Sequence, residues 1–130
     1  ALGKRLYLKV SDIVGNNQKP EVSVQTEVKQ VIVEISAKML GATAVIDNGN
    51  IVGIVTDGDI RRMLSKTDDI RGLTAKDIMS LNPKTIDRDC LAIDALSLME
   101  KNKITQLLVT HNGRYEGVIH LHNLIQEGLL

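Results

Sequence analysis

Thr43-Ala44-Val45-Ile46-Asp47-Asn48-Gly49-Asn50-Ile51-Val52-Gly53-Ile54-Val55-Thr56-Asp57-Gly58-Asp59 is the stretch from which the architecture follows. Two apolar runs, Thr43–Ile46 and Ile51–Val55, flank Asp47-Asn48-Gly49-Asn50. Asn-Gly favours a tight hairpin turn because both positions tolerate positive φ. The second run leads directly into a polar helix start, and Asp57–Leu64 reads as a helix.

The same pattern returns 64 residues later. Val45-Ile46-Asp47-Asn48-Gly49 falls on Val109-Thr110-His111-Asn112-Gly113, and Gly53-Ile54-Val55-Thr56 falls on Gly117-Val118-Ile119-His120. Leu107–Thr110 and Tyr115–Ile119 form the second hairpin, and Leu121–Gln126 the helix after it. Upstream, Val28, Val31, Ile32, Ile35 and Met39 carry helical spacing, with Thr26 and Gly41 as expected caps. Their counterparts are Ala92, Ala95, Leu96 and Met99, with Asp89 as the expected cap. Before each helix lies a brief extended stretch (Glu21–Val24; Lys84–Ile86). Further upstream, Ser11-Asp12-Ile13-Val14 resembles Lys76-Asp77-Ile78-Met79 at a shift of 65. The one-residue drift fits the loops holding Pro20 and Pro83. An α/β (α+β) chain is expected, each copy running strand–helix–strand–strand–helix. Two copies are too few for a solenoid and suggest a pseudo-twofold pair. Ala1–Val10 is expected to return and pack on the second copy.

Composition narrows the function. The 130 residues hold 16 Lys+Arg against 16 Asp+Glu, with 43% hydrophobic and 25% charged residues, as in a folded globular protein. Zero formal charge leaves no electrostatic footprint for nucleic acid. With Tyr7 and Tyr115 as the sole aromatics, single-strand stacking has no platform. No apolar run is long enough for a bilayer, and no signal peptide is read. The lone Cys90 excludes an internal disulfide and fits a reducing compartment, so a cytoplasmic setting is expected. A start on Ala1 rather than Met reads as a piece of a longer chain.

Chemistry concentrates at the end of the second hairpin strand. Free backbone N–H groups at a helix start attract anions, and the helix dipole adds to this. Thr56 offers a hydroxyl to a phosphate or sugar, Asp59 offers an acceptor to ribose hydroxyls, and Gly58 leaves room for close approach. Thr-x-x-Asp is equally a capping box, in which both side chains satisfy helix-terminal groups. In the second copy His120 and Asn123 hold these places. His120 and His122, with His111, raise a metal reading, but no carboxylate stands at a convincing spacing beside them. The expectation is therefore no metal and no catalytic residue. Cys90 reads as a half-buried structural thiol, Arg61-Arg62 as a solvated helix face, and Lys84 as a residue able to face a cleft. No Walker A, Rossmann or nucleophile-elbow pattern occurs.

These residues together resemble a tandem cystathionine-β-synthase (CBS) domain pair, or Bateman module, over nearly all of residues 10–128. The resemblance rests on Val10-Ser11-Asp12-Ile13-Val14, Ala75-Lys76-Asp77-Ile78-Met79, and Gly53-Ile54-Val55-Thr56-Asp57-Gly58-Asp59, which is similar to the family's Gly-x-x-Thr/Ser-x-x-Asp nucleotide motif. More narrowly, Gly3–Ile13, Thr56–Arg62 and Gly117–Leu124 resemble the C-terminal half of bacterial arabinose 5-phosphate isomerases, which join a sugar-isomerase (SIS) domain to a CBS pair and feed the synthesis of the lipopolysaccharide sugar Kdo. The resemblance implies that residues 1–9 lead in from an N-terminal SIS domain, that 10–66 and 75–130 are the CBS repeats, and that 67–74 links them. It implies a regulatory fragment rather than an enzyme. It implies one cleft joining Thr56 and Asp59 to Met79, Lys84 and Thr105, and a second joining His120 and Asn123 to Ala42 and Val14-Gly15. Family members often carry Asp where this chain has Asn123. The implied ligand is a nucleotide or nucleotide-sugar, CMP-Kdo or AMP/ATP, and no cofactor is expected. The implied partners are the SIS domain and further copies of the chain. An oligomerisation module without a small-molecule ligand is the alternative.

Overall fold

The computed structural model describes residues 2–130. In chain order the elements are α1 (Leu2–Leu6), α2 (Val10–Val14), β1 (Glu21–Ser23), α3 (Val28–Lys38), β2 (Ala42–Asp47), β3 (Asn50–Thr56), α4 (Asp57–Lys66), α5 (Ala75–Ile78), β4 (Thr85–Asp87), α6 (Ala92–Asn102), β5 (Gln106–His111), β6 (Arg114–His120) and α7 (Leu121–Gln126). The expected strand–helix–strand–strand–helix order occurs twice. Each copy builds its own three-stranded sheet, β1-β2-β3 and β4-β5-β6.

Within each sheet the first pairing is parallel and the second antiparallel. A parallel pair needs a crossover, and α3 and α6 supply it; the antiparallel pair needs only a tight turn. Asn48 and Gly49 sit at φ 50 and 80, Asn112 and Gly113 at φ 53 and 77, so both turns take the left-handed backbone that Asn-Gly allows. A register shift falls at Val45/Ile46 in one hairpin and at Val109/Thr110 in the other, 64 residues on.

The chain divides into two compact units, Pro20–Pro83 and Ala1–Lys19 with Lys84–Leu130. Units and sequence copies are thus cut differently, because each lead-in is built into the unit of the other copy. In the first unit, Ala75 joins a core of Val31, Ile35, Val45 and Val55, and Glu27 bridges to Thr74. In the second, Val10 and Ile13 join Ile86, Leu96, Met99, Leu107, Val109, Ile119 and Leu124, and Lys9 bridges to Leu91. The expected return of Ala1–Val10 onto the second copy is seen at Leu8, Lys9 and Val10, while Ala1 lies outside the described residues.

Several local expectations shift. Glu27, not Thr26, is the N-cap of α3, and Thr26 Oγ1 instead accepts the Ser23 N–H at 3.0 Å. Leu91, not Asp89, is the N-cap of α6. Helix α3 ends on Met39 in the left-handed region (φ 62), two residues before Gly41, and α6 ends likewise on Lys103 (φ 55). No helix of the described residues is long and apolar enough to cross a membrane.

Candidate functional site

Thr56 ends β3 and is the N-cap of α4. Its Oγ1 accepts the Asp59 N–H at 3.2 Å, and its own N–H donates to Asp59 Oδ2 at 2.9 Å, with the hydroxyl 3.1 Å from the same oxygen. The capping box is therefore formed. Such a cap is worth about 1 kcal/mol to a helix.

A cap does not account for the other carboxylate oxygen. Asp59 is 6% exposed, one of two buried polar residues among those described. Its Oδ1 accepts the Ser80 hydroxyl at 2.8 Å and a guanidinium hydrogen of Arg62. Ser80 arrives because its backbone pairs with Ile54 on β3, in both directions, at 2.8 and 3.0 Å. That approach needs Gly53: a Cβ there would lie 2.6 Å from Met79 Sδ and 3.0 Å from the Ser80 carbonyl. Oδ2 is thus committed to the helix end, while Oδ1 is held by two exposed side chains. Arg62, expected to be a solvated residue, is 65% exposed yet ion-paired. Beside α4 opens a cavity of about 300 Å³, lined by Asp59, Arg62, Met63, Lys66, Leu73 and Ile78 among others.

The start of α7 repeats this plan with different groups. His120 Nδ1 accepts the His122 N–H at 2.9 Å, and the His120 N–H donates to Asn123 Oδ1 at 2.8 Å. Asn17 takes the place of Ser80: its Nδ2 donates to Asn123 Oδ1 and to the Val118 carbonyl, both at 3.1 Å. Val118 is the counterpart of Ile54, 64 residues on. A cavity of about 270 Å³ lies near Asn17, lined by Ser11, Val14, Gly15, Arg88 and Glu116. Arg88 donates to Glu116 at 2.9 Å.

The remaining expected residues distribute as follows. Ala42 is buried and pairs with Thr56 across β2 and β3. Met79 packs half-buried on the core of the same unit. Lys84 and Thr105 are exposed and belong to the unit of His120 and Asn123, where the Thr105 carbonyl accepts the Leu121 N–H at 2.8 Å. Val14 packs against Gly117, where an added Cβ would lie 3.0 Å from Val14 Cγ1. Cys90 is half-buried against the core, as expected. His120 and His122 do not share a strand face, because β6 ends at His120 and His122 lies on α7.

Sequence reading missed Ser80 and Asn17, which reach their partners across 21 and 106 residues. It also missed the company of His111. That ring gathers with the Asp87 and Asp89 carboxylates, one donor atom from each lying within 4.8 Å of the others.

Comparison with known proteins follows the same lines. The chain matches the CBS domain family over residues 10–66 and again over 75–129. It is 38% identical to the arabinose 5-phosphate isomerase KdsD of Pseudomonas aeruginosa over 133 aligned positions, covering 100% of this chain and 41% of the relative. It is 40% identical to the Francisella tularensis KdsD, covering 97% of this chain and 39% of the relative. The chain therefore spans about two fifths of the curated relatives it matches. Among solved structures, a CBS-domain-containing protein of Agrobacterium tumefaciens superposes with a TM-score of 0.83 at 17% identity, covering 95% of each chain. A CBS domain protein from Pyrobaculum aerophilum complexed with AMP gives 0.75 at 20% identity, over 95% of this chain and 100% of the other. CBSX2 in complex with AMP gives 0.73 at 24% identity, over 94% and 96%.

Proposed function

Because the chain belongs to the CBS domain family, we propose that it is a regulatory module that binds a nucleotide or nucleotide-sugar at the start of α4. The observation that carries this reading is the division of labour on Asp59. Oδ2 is used by the helix end, whereas Oδ1 is held by donors from exposed residues, Ser80 and Arg62. A ribose diol presents two hydroxyl donors and can take the place of these two while the cap stays intact. Arg62 and Lys66 line the adjoining cavity and supply positive charge for a phosphate. Thr56 then serves as both cap and ligand contact.

The likeness to two AMP complexes supports an adenine nucleotide as the first ligand to test. The likeness to arabinose 5-phosphate isomerases supports a parent enzyme with a preceding SIS domain, acting in Kdo and lipopolysaccharide synthesis in the cytoplasm. In that setting CMP-Kdo is the end-product signal, and the module regulates the isomerase rather than catalysing anything itself. Regulation requires that the ligand bind two states of the parent with different affinities.

Calorimetric titration of the chain with AMP, ATP and CMP-Kdo is the test. Saturable binding by one of them is expected, weakened about 10- to 100-fold in Asp59→Asn, the loss of a charge-assisted hydrogen bond or two. Equal affinity in the variant removes Asp59 from the site. A second reading, an oligomerisation module, is favoured by exposed apolar side chains on the helices: Val33 at 52%, Leu64 at 52% and Ile125 at 44%. Light scattering that finds a stable homo-oligomer, with no heat from any nucleotide, supports that reading instead.

A further inference from the structure

We propose that Asp87, Asp89 and His111 bind a first-row divalent transition-metal cation of the Zn²⁺ class. Asp87 ends β4, Asp89 lies in the turn after it, and His111 ends β5. One donor atom from each lies within 4.8 Å of the other two. Ligands of a tetrahedral zinc stand about 3.4 Å apart, given bonds near 2.1 Å. Modest side-chain rotation closes that gap.

The imidazole gives the second observation. His111 Nδ1 is out of solvent and has no hydrogen-bond partner among the described residues, whereas Nε2 lies 3.4 Å from the Asn112 side-chain nitrogen. A buried ring nitrogen left without a partner is rare, and a cation or its bound water would complete it.

The other copy supplies an internal control. At the matched positions it carries Ser23, Gln25 and Asp47. There the Gln25 N–H donates to Ser23 Oγ at 3.3 Å, just as the Asp89 N–H donates to Asp87 Oδ1 at 2.8 Å. Both strands run parallel to their neighbours in the same register. The turn therefore forms with a hydroxyl and a neutral amide. Neither the two carboxylates nor the imidazole is needed to build it.

The donor set specifies the ligand. One imidazole and two carboxylates match the charge of a divalent cation, and the imidazole favours Zn²⁺, Co²⁺ or Ni²⁺ over Ca²⁺ and Mg²⁺. Asp89 is exposed, so water can fill the remaining coordination position. A nearby cation, Arg88, is occupied by Glu116. Bound metal would tie the end of edge strand β4 to the β5–β6 hairpin and so stabilise this unit.

The test uses the untagged chain, stripped of metal with a chelator and titrated with ZnCl₂ by calorimetry and with CoCl₂ by visible absorption. One equivalent of each is expected to bind, with a rise in melting temperature and a Co²⁺ spectrum of low coordination number. Asp87→Asn and His111→Gln, each checked for native circular dichroism, are expected to weaken binding at least tenfold, and His122→Gln to leave it unchanged. Should one variant not fold, the other carries the test, together with Co²⁺-induced shifts of the His111 ring signals in the native chain. No saturable binding at millimolar metal overturns the site. So does binding that survives both variants, or binding in which Ca²⁺ equals Zn²⁺.

Discussion

The starts of α4 and α7 are one design executed twice with different chemistry. Thr56 and His120 cap the two helices, Asp59 and Asn123 close the two capping boxes, and Ser80 and Asn17 reach in from the lead-in segments. Both arrangements satisfy the helix end, so the fold itself does not require a charge there. Only α4 carries one, with an arginine at position 62 where α7 has Gln126. The difference separates what holds the scaffold from what is added to it. The neutral version shows the structural minimum, and the carboxylate–guanidinium pair at α4 is the surplus that the proposed ligand site uses.

Breaking the two sites in parallel sharpens that contrast. The largest effect is expected at Asp59. Asp59→Ala removes the partner of the Thr56 N–H, strands Ser80 and leaves Arg62 unpaired, and is expected to cost about 2–3 kcal/mol in urea unfolding. Asn123→Ala removes fewer and neutral bonds and is expected to cost about 1–2 kcal/mol. Equal losses would show that the charge contributes nothing beyond the cap.

The paired glycines come next. Gly117→Ala puts a side chain at φ 152, a backbone that L residues rarely adopt, and 3.0 Å from Val14 Cγ1. Gly53→Ala meets the far end of flexible Met79 but also the fixed Ser80 carbonyl at 3.0 Å. Thermal unfolding should show a loss of about 2–3 kcal/mol for the first and about 1–2 kcal/mol for the second.

A smaller effect is expected where one half uses an ion pair and the other does not. Arg88 and Glu116 correspond to Val24 and Val52, which pack on the core of their own unit. The pair is 41% and 34% exposed, so solvent screens it. Replacing both by valine is expected to change unfolding free energy by less than about 1 kcal/mol.

The smallest concerns the connecting stretch, which has no twin. Arg71 grips the Asp69 carboxylate through Nε and Nη2, and these bonds, with one from the Arg71 backbone, hold its pKa below the ordinary aspartate value. A carboxyl lowered in the folded state contributes stability above its unfolded pKa and loses that contribution as pH falls through the folded value. Both groups are fully exposed, so Asp69→Asn is expected to flatten only this acid limb, and the difference should vanish in high salt.

Much of this was legible from residues alone. Asn48-Gly49 and Asn112-Gly113 announce their turns through backbone preference, a property of two adjacent residues. The spacing of Val28, Val31 and Ile35 announces α3, because helical periodicity is local. Thr56 and Asp59 stand three apart and read as a cap for the same reason. What stayed hidden is what folding brings together. Ser80 reaches Asp59 only because a lead-in pairs with β3, and Asn17 reaches Asn123 from the far end of the chain. Asp87 and Asp89 meet His111 because β4 lies parallel to β5. Spacing along the chain, which puts no carboxylate beside His111, carries no trace of that pairing. Nor does an internal repeat reveal that its two lead-ins are exchanged.

The proposed nucleotide docks on the carboxylate-bearing helix start and not elsewhere in its unit. Its most direct test is an amide chemical-shift titration of the isotope-labelled chain with AMP, repeated with CMP-Kdo. Saturable shifts at Gly58, Asp59, Ile60 and Ser80 are expected with one of the two, and are expected to be lost in Asp59→Asn. Shifts that bypass these amides, or persist unchanged in the variant, would contradict it.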